Sequence, residues 1–499
     1  MMRIRKRYYI LGTAALLFAG GCNDLNVTNP NNPDIARALA TPGDVISLAQ
    51  SSVRSWYMTT VSAGPDDNGD VAPYAFGAVT TDVATANFGN FGMRFNNLEP
   101  RVAYVNNSAG GDRAVTETPW NYNYGTIGAA NDVLRAIKGG LSLGSADQTE
   151  KYKQEAEFSR AASYTYLSME FDRSFLVDED TDPLNPPALS TYTQVRDATI
   201  AYWDALIAAS AATSYTYAVT DLPGVALTSK KLNRIANTMA AMLLAYTPRT
   251  PAQSAAVDWV KVEAYANKGI GTGSAGAPFD IVVQGDNQNW WSYVAGYGDE
   301  ESWMRVDHRV INRMNPSVPP KFNGTIPPQG SSPDARYTSD FAYKPPPIGD
   351  PARGIYMQSV FYHKRYEAHA VSQPLGLMTP VPYMLAAESD LIRAEALIRS
   401  GGNRQTAVDL INTTRVGRGQ LTPALATESD AALLSKISYE RDIEIFATSG
   451  TTLYWRRAVT DQPTQAGTVC QLPIPAKELE TLGLPIYTFG GTSPVIPCS

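Results

Sequence analysis

Apolar and polar positions along this chain fall mostly into a 3.6-residue rhythm, and the rhythm recurs in couples divided by short polar or glycine-bearing breaks. A first helix is expected over residues 44–59. Two more are expected over 124–137 and 150–171, on either side of the glycine-containing stretch 139–144. In the second of these, Ala156, Ala161, Tyr164 and Leu167 recur near helical spacing on one face. Another couple covers 191–212 and 230–246, joined by a loop that holds Pro223 and Gly224. Late in the chain, 384–399 carries Leu391, Ala394, Ala396 and Ile398 and stops at Gly401-Gly402-Asn403. It returns over 404–415 with Ala407, Leu410 and Ile411 inward. A last long helix, 429–446, precedes the tail. Helix couples with short turns, and Ala or Gly where they cross, predict a mainly α, tetratricopeptide-like scaffold.

The rhythm fails over 269–382, which is rich in Gly, Asn, aromatic residues and prolines such as Pro316, Pro319, Pro320 and Pro345-Pro346-Pro347. Loops this long in a compact protein are functional or disordered, and the aromatic content argues against disorder. An irregular, loop-rich ligand lobe is expected here, with the Gly- and Asn-rich stretch 60–120 folding beside it.

The N-terminus has a different logic. Arg3, Arg5, Lys6 and Arg7 precede an apolar run over 8–18 and the small residues Ala19, Gly20 and Gly21, the marks of an export signal. The run is roughly half of the ~20 residues that a membrane-crossing helix needs. Cys22 follows directly, where a lipoprotein receives its diacylglycerol, whose buried CH₂ groups each contribute about 0.8 kcal/mol of membrane affinity. An ordinary secretory signal with an unrelated cysteine is the alternative. Pro30 and Pro33 then oppose helix formation, so 22–34 reads as a lipid tether. The expected organisation is a signal at 1–21, the tether at 22–34, a helical scaffold at 35–268 with a loop insert at 60–120, the ligand lobe at 269–382, and a C-terminal helical region and tail at 383–499.

A net charge of −7 with no long block of Lys or Arg excludes nucleic acid as the natural partner. With 27 Tyr and 8 Trp the chain suits flat, amphipathic ligands, although tyrosines filling a core and surface account for most of them. Of the 3 cysteines, Cys470 and Cys498 remain as an even pair once Cys22 is lipidated. Joined, they would close the tail onto the body for about 3 kcal/mol in the chain-entropy model; two free thiols are the alternative.

Several segments together resemble the SusD/RagB family of outer-membrane nutrient-binding lipoproteins. They are Cys22 with its Asn/Pro tether, Asn121-Tyr122-Asn123-Tyr124 leading to Ala129-Ala130-Asn131-Asp132-Val133-Leu134, and Glu155-Ala156-Glu157-Phe158-Ser159-Arg160-Ala161-Ala162-Ser163-Tyr164. Ala387-Glu388-Ser389-Asp390-Leu391-Ile392-Arg393-Ala394-Glu395-Ala396, then Glu440-Arg441 with Glu444, and Leu472-Pro473-Ile474-Pro475 complete the order. After Glu444 the family commonly has Glu-Gly, then Arg and Asp before a basic pair. This chain has Ser449-Gly450-Thr451-Thr452 ahead of Arg456-Arg457, a departure that bears on local packing. The resemblance implies a SusD-like fold, a variable ligand lobe, a cell-surface position on the outer membrane and a SusC-like TonB-dependent transporter as partner.

The densest aromatic cluster is Asn289-Trp290-Trp291-Ser292-Tyr293, with Tyr297, Asp299, Glu300, Glu301 and Trp303 close behind. Sugar rings stack their C–H faces on aromatic rings while carboxylates and amides bind the hydroxyls. Asn289, Trp290, Trp291, Tyr293, Tyr297, Asp299, Glu300 and Trp303 are therefore candidate ligand residues; Trp290 or Trp291 anchoring the lobe as its core is the competing reading. Phe88 and Phe91, alternating with Gly and Asn, are a second candidate.

Asp299, Glu300 and Glu301 read better as surface acids than as a glycosidase pair, which needs two carboxyls across the scissile bond. The chain has 3 histidines, His308, His363 and His369, and they lack metal-ligand spacing. Gly271-Thr272-Gly273-Ser274-Ala275-Gly276 spells a dinucleotide fingerprint without its strand–helix context and reads as a flexible loop. The acidic runs Asp66/Asn68/Asp70 and Asp178-Glu179-Asp180 with Asp182 read as solvated turns. No catalytic residue, metal or cofactor is expected. The expected function is capture of an oligomeric nutrient, a glycan first, and delivery to the transporter; a peptide-binding uptake protein or an exported glycoside hydrolase is the alternative.

Overall fold

The computed structural model describes residues 39, 41–61, 73–86, 95–182, 185, 187–286, 289–292, 304–367, 380–446 and 448–491. Its principal helices are α1 (Pro42–Val61), α2 (Ala114–Lys138), α3 (Ala146–Glu170), α4 (Tyr192–Ala211), α5 (Ser229–Tyr246), α6 (Trp259–Ala266), α7 (Ala386–Arg399), α8 (Arg404–Arg415) and α9 (Asp430–Glu444). The chain is mainly α. Local chemistry sets the starts. Ser145, Thr228, Asn403 and Ser429 each accept a backbone N–H three residues on, and Thr191 forms a full capping box with Gln194.

The expected couples are couples in space: α2 packs on α3, α4 on α5, and α7 on α8. The row runs α1, α2, α3, α4, α5, and α6 then bridges α5 to α7, which α9 also covers. Strands are short and paired antiparallel: β1 (Arg173–Ser174) with β2 (Ser190–Thr191), β3 (Ile281–Gln284) with β6 (Pro380–Met384), and β4 (Phe341–Tyr343) with β5 (Phe361–His363). One buried cluster runs from Val53 on α1 to Phe489 in the tail, taking in Trp203, Tyr246, Val306 and Phe361. Two satellites fill the α7–α8–α9 contact and the outer end of α1–α2–α3.

The structure departs from the sequence rhythm in several places. α2 starts at Ala114, well before residue 124, and runs through Pro119. A proline inside a helix removes one ladder bond, but Trp120 beside it buries edge-on against Phe171 with centroids 5.1 Å apart, and that packing holds the turn. The helix Pro73–Thr80 lies inside the stretch read as irregular; it is apolar on nearly every side, so it has no periodicity to read. Met384 ends β6 instead of opening α7, and α9 stops at Glu444.

Most of the family-like charges are internal fastenings. Arg336 is fully buried and donates to Asp334 (3.0 and 2.8 Å), Glu440 (2.6 Å) and Glu444 (3.2 Å), which ties the irregular region to α9. Arg441 pairs with Glu395 of α7 at 2.8 Å. Arg457 donates to the carbonyls of Met169, Tyr246 and Pro248, each 2.9 Å away, so one guanidinium closes the C-terminal ends of α3 and α5. The departure after Glu444 is filled by hydroxyls: Ser449 and Thr451 donate to the buried Glu388 carboxylate at 2.5 and 2.6 Å.

The Gly271–Gly276 segment is a loop but a pinned one. Arg234 donates to the carbonyls of Gly269, Ile270, Gly271, Gly276 and Ala277, and a Cβ on Gly273 would lie 2.1 Å from the Asn267 carbonyl oxygen. The Asp178–Asp182 run is a fastened turn, with Glu179 paired to Arg160 and Asp180 to Lys138.

Candidate functional site

A cleft of about 690 Å³ opens along one face of α1. Residues at 47, 50, 51 and 54 share that face by helical spacing, and Ser47, Gln50, Ser51 and Arg54 form its first wall. The opposite face of α1 places Val45, Ala49, Val53 and Trp56 in the core, and Ser52 reaches Ser159 of α3 at 2.9 Å. Burial on that side leaves the polar stripe to the cleft.

The second wall is the α4–α5 loop, through Val219, Thr220, Pro223 and Gly224. Asp221 anchors it from inside. Its carboxylate accepts from Gln50 Nε2 and from its own loop's Ala218 N–H, both 2.7 Å, with Lys151 at 3.9 Å. Glu155 of α3 lies beside it. Burial first, then the Asp221 charge, pushes the Glu155 carboxyl well above the usual carboxylate range. Leu222, Val225 and Leu227 insert into the core, whereas Val219 at the rim is 76% exposed. Gly224 makes the closest approach: it has φ +88°, and Pro223 O accepts from Gln284 N at 2.9 Å across the gap to β3.

The third wall holds Gln284, Asp286, Asn289 and Trp290. The Asp286 carboxylate accepts from the N–H groups of Asn289 (2.5 Å) and Trp290 (3.0 Å), while its own N–H donates to Trp290 O (2.7 Å). That small turn aims the Asn289 side chain at α1, where its Oδ1 accepts from Arg54 at 2.7 Å. Trp290 is 5% exposed and leans on Tyr57, ring centroids 5.4 Å apart, so it is the cleft's aromatic floor and a core residue together. Trp291 is half-buried against the same core.

Comparison with known proteins follows from this architecture. The sequence matches no family model and no curated protein. Solved structures do match. Surface glycan-binding protein A from Bacteroides thetaiotaomicron superposes with a TM-score of 0.63 at 11% identity, covering 90% of this chain and 99% of that one. A SusD superfamily protein from Parabacteroides distasonis gives 0.63 at 13% identity over 88% and 98%. Surface glycan-binding protein A from Bacteroides uniformis gives 0.57 at 16% identity over 83% and 87%. The chain has the SusD-like fold.

Within this SusD-like fold, the structure brings Asn289 and Trp290 to the cleft and sets Trp291 beside it. Tyr293, Tyr297, Asp299, Glu300, Trp303, Phe88 and Phe91 lie outside the described residues, as do Cys22, Asp66, Asn68, Asp70 and His369. Cys470 is buried and disulfide-bonded; Cys498, its expected partner, is also outside them.

His308 packs edge-on between Phe322 and Phe361, and burial holds its imidazole down at about 4. His363 stacks on Phe446 at 5.1 Å, and its Nδ1 accepts from Arg365 N. Among the described residues no cluster of His, Cys, Asp or Glu is arranged to hold a metal, and no helix is long and apolar enough to cross a membrane.

Sequence reasoning missed the α1 stripe and the α4–α5 loop. The polar spacing at 47, 50, 51 and 54 was visible, but any solvated helix face shows the same pattern. Only the loop packed across it makes it a wall.

Proposed function

We propose that this protein is a non-catalytic, lipid-anchored binding protein of the outer membrane. It captures an oligosaccharide outside the cell and passes it to a SusC-like TonB-dependent transporter. The observation that carries the reading is an open cleft with an aromatic floor and polar walls, on a fold shared with surface glycan-binding proteins. Such a cleft offers what a sugar chain needs: hydroxyl and amide partners from Ser47, Ser51, Gln50 and Asn289, and a ring edge at Trp290 for C–H faces. Asp286 is the one carboxylate lining it among the described residues, and it already holds two backbone N–H groups. A hydrolase needs a second carboxyl across the bond.

The mechanism requires no bond making. The acyl chains on Cys22 confine the protein to the membrane, and confinement makes its encounter with the barrel effectively intramolecular. The test incubates the detergent-solubilised full chain with arrays of glycans and of peptides and analyses the supernatant. Retention of a glycan without new reducing ends is expected; release of products, or retention of peptides alone, overturns the reading. Loss of membrane association in Cys22→Ala checks the anchor.

A further inference from the structure

Arg54 has a different kind of partner from several arginines elsewhere in the fold. Arg101, Arg160, Arg309, Arg336 and Arg441 each meet a carboxylate, and Arg249 and Arg457 cap helix carbonyls. Arg54 lies on the cleft wall, half-buried, and its partner among the described residues is a neutral amide, Asn289 Oδ1, at 2.7 Å from Nη1. That bond orients the guanidinium and leaves Nε and Nη2 to the cleft. A planar fork held at one corner with its other donors open is suited to a carboxylate, which takes two parallel N–H groups.

The surroundings agree. Arg54 is the one cation lining the cleft among the described residues. The carboxylate that also lines it, Asp286, accepts the N–H groups of Asn289 and Trp290. Gln50 gives its amide N–H to Asp221, which leaves its carbonyl oxygen as an acceptor for a ligand hydroxyl. Ser47 and Ser51 stand one helical turn apart on the same stripe.

We propose that the cleft selects an acidic oligosaccharide, a chain bearing uronic acid residues, whose carboxylate is received by the Arg54 fork while Ser47, Gln50 and Ser51 take neighbouring hydroxyls. The proposal rests on the glycan-binding reading above and adds the class of glycan. A guanidinium makes its strongest, paired bonds with a carboxylate; a neutral hydroxyl can take only one of its N–H groups at a time.

Titration calorimetry of the full chain tests it. The probes are oligomers of galacturonic, mannuronic and glucuronic acid, each paired with its carboxyl-reduced, neutral counterpart. At least one acidic oligomer should bind tenfold or more tightly than its reduced form, and the ratio should shrink as salt rises from 0.05 to 0.5 M. Arg54→Gln should bring the ratio close to one. Arg54→Lys, which keeps the charge but not the fork, should restore part of it. Thermal melting of both variants checks folding. Equal affinity for acidic and reduced forms, or a preference that survives in Arg54→Gln, overturns the acidic-sugar assignment and leaves glycan capture standing. Failure of every saccharide to bind overturns both.

Discussion

Replacing Gly224 with alanine isolates the contact that shapes the cleft. Gly224 adopts φ +88°, and an added Cβ would stand 2.6 Å from Val282 O and 2.9 Å from Gln284 N. Both are backbone atoms of β3, so no side chain can swing away. Holding an L-residue in this backbone region costs roughly 1–2 kcal/mol. Parting the loop from β3 weakens the bond from Gln284 N to Pro223 O, worth about 0.5–1.5 kcal/mol net. The expected destabilisation is therefore about 1.5–3.5 kcal/mol. Unfolding entropy near 2.1 cal/mol/K per residue amounts to about 1 kcal/mol/K over 499 residues, so the melting temperature should drop by about 1.5–3.5 °C. The same shift moves Thr220 and Pro223 relative to α1, so affinity for the glycan proposed above should fall as well. Gly128→Ala is the control. It lies mid-helix in α2 with nothing within 4 Å of the new Cβ, and helix propensity predicts a gain of about 0.5–1 kcal/mol. Differential scanning calorimetry and a glycan titration on each variant suffice. A Gly224→Ala protein with unchanged melting and unchanged affinity would refute the close approach of loop and strand.

Three further outcomes follow from buried charge. Arg336→Ala leaves the buried Asp334 without its cation and Glu440 with Arg415 at 3.7 Å alone, and should cost about 3–5 kcal/mol in chemical denaturation; a loss under about 1 kcal/mol would count against the cluster as a fastening. Glu170 is fully buried, with no hydrogen-bond partner for either carboxylate oxygen; burial raises it to about 8, against the pull of Arg249 and Arg457. The unfolded chain releases that proton near 4.5 while the fold keeps it to about 8, so the stability it lends is complete below 4.5 and is lost as pH rises through that window. Glu170→Gln should therefore gain on the wild type by on the order of 4 kcal/mol between pH 4.5 and 8, and parallel stability–pH curves for the two proteins would count against it. Ser449→Ala with Thr451→Ala strips both hydroxyl donors from Glu388. The pair should lower stability by about 2–5 kcal/mol, and a melting temperature within error of wild type would show that Glu388 is satisfied elsewhere.

The candidate site was legible in the sequence only in part. Asn289 and Trp290 were visible because a dense run of aromatics beside an amide is rare enough to stand out, whereas the dual role of Trp290 was not. Whether a tryptophan faces ligand or core depends on what packs behind it, and Tyr57 arrives from 233 residues earlier in the chain. Arg54 carried no signal at all: a cation on a polar helix face is ordinary until the fold sets it on a cleft wall against the amide of Asn289.

What the chain alone determined is local. Helical rhythm, caps such as Thr191 with Gln194, and turn residues such as Gly401-Gly402-Asn403 act within a few residues, so the couples α2–α3, α4–α5 and α7–α8 could be read directly. Tertiary structure decided whatever depended on a distant partner. It extended α2 through Pro119 because Phe171 receives Trp120. It turned Glu440, Arg441 and Arg457 into fastenings, and it closed the α1 stripe into a cleft by laying the 219–224 loop across it. Burial, desolvation and backbone approach are properties of assembled surfaces, and a single sequence shows only one side of each.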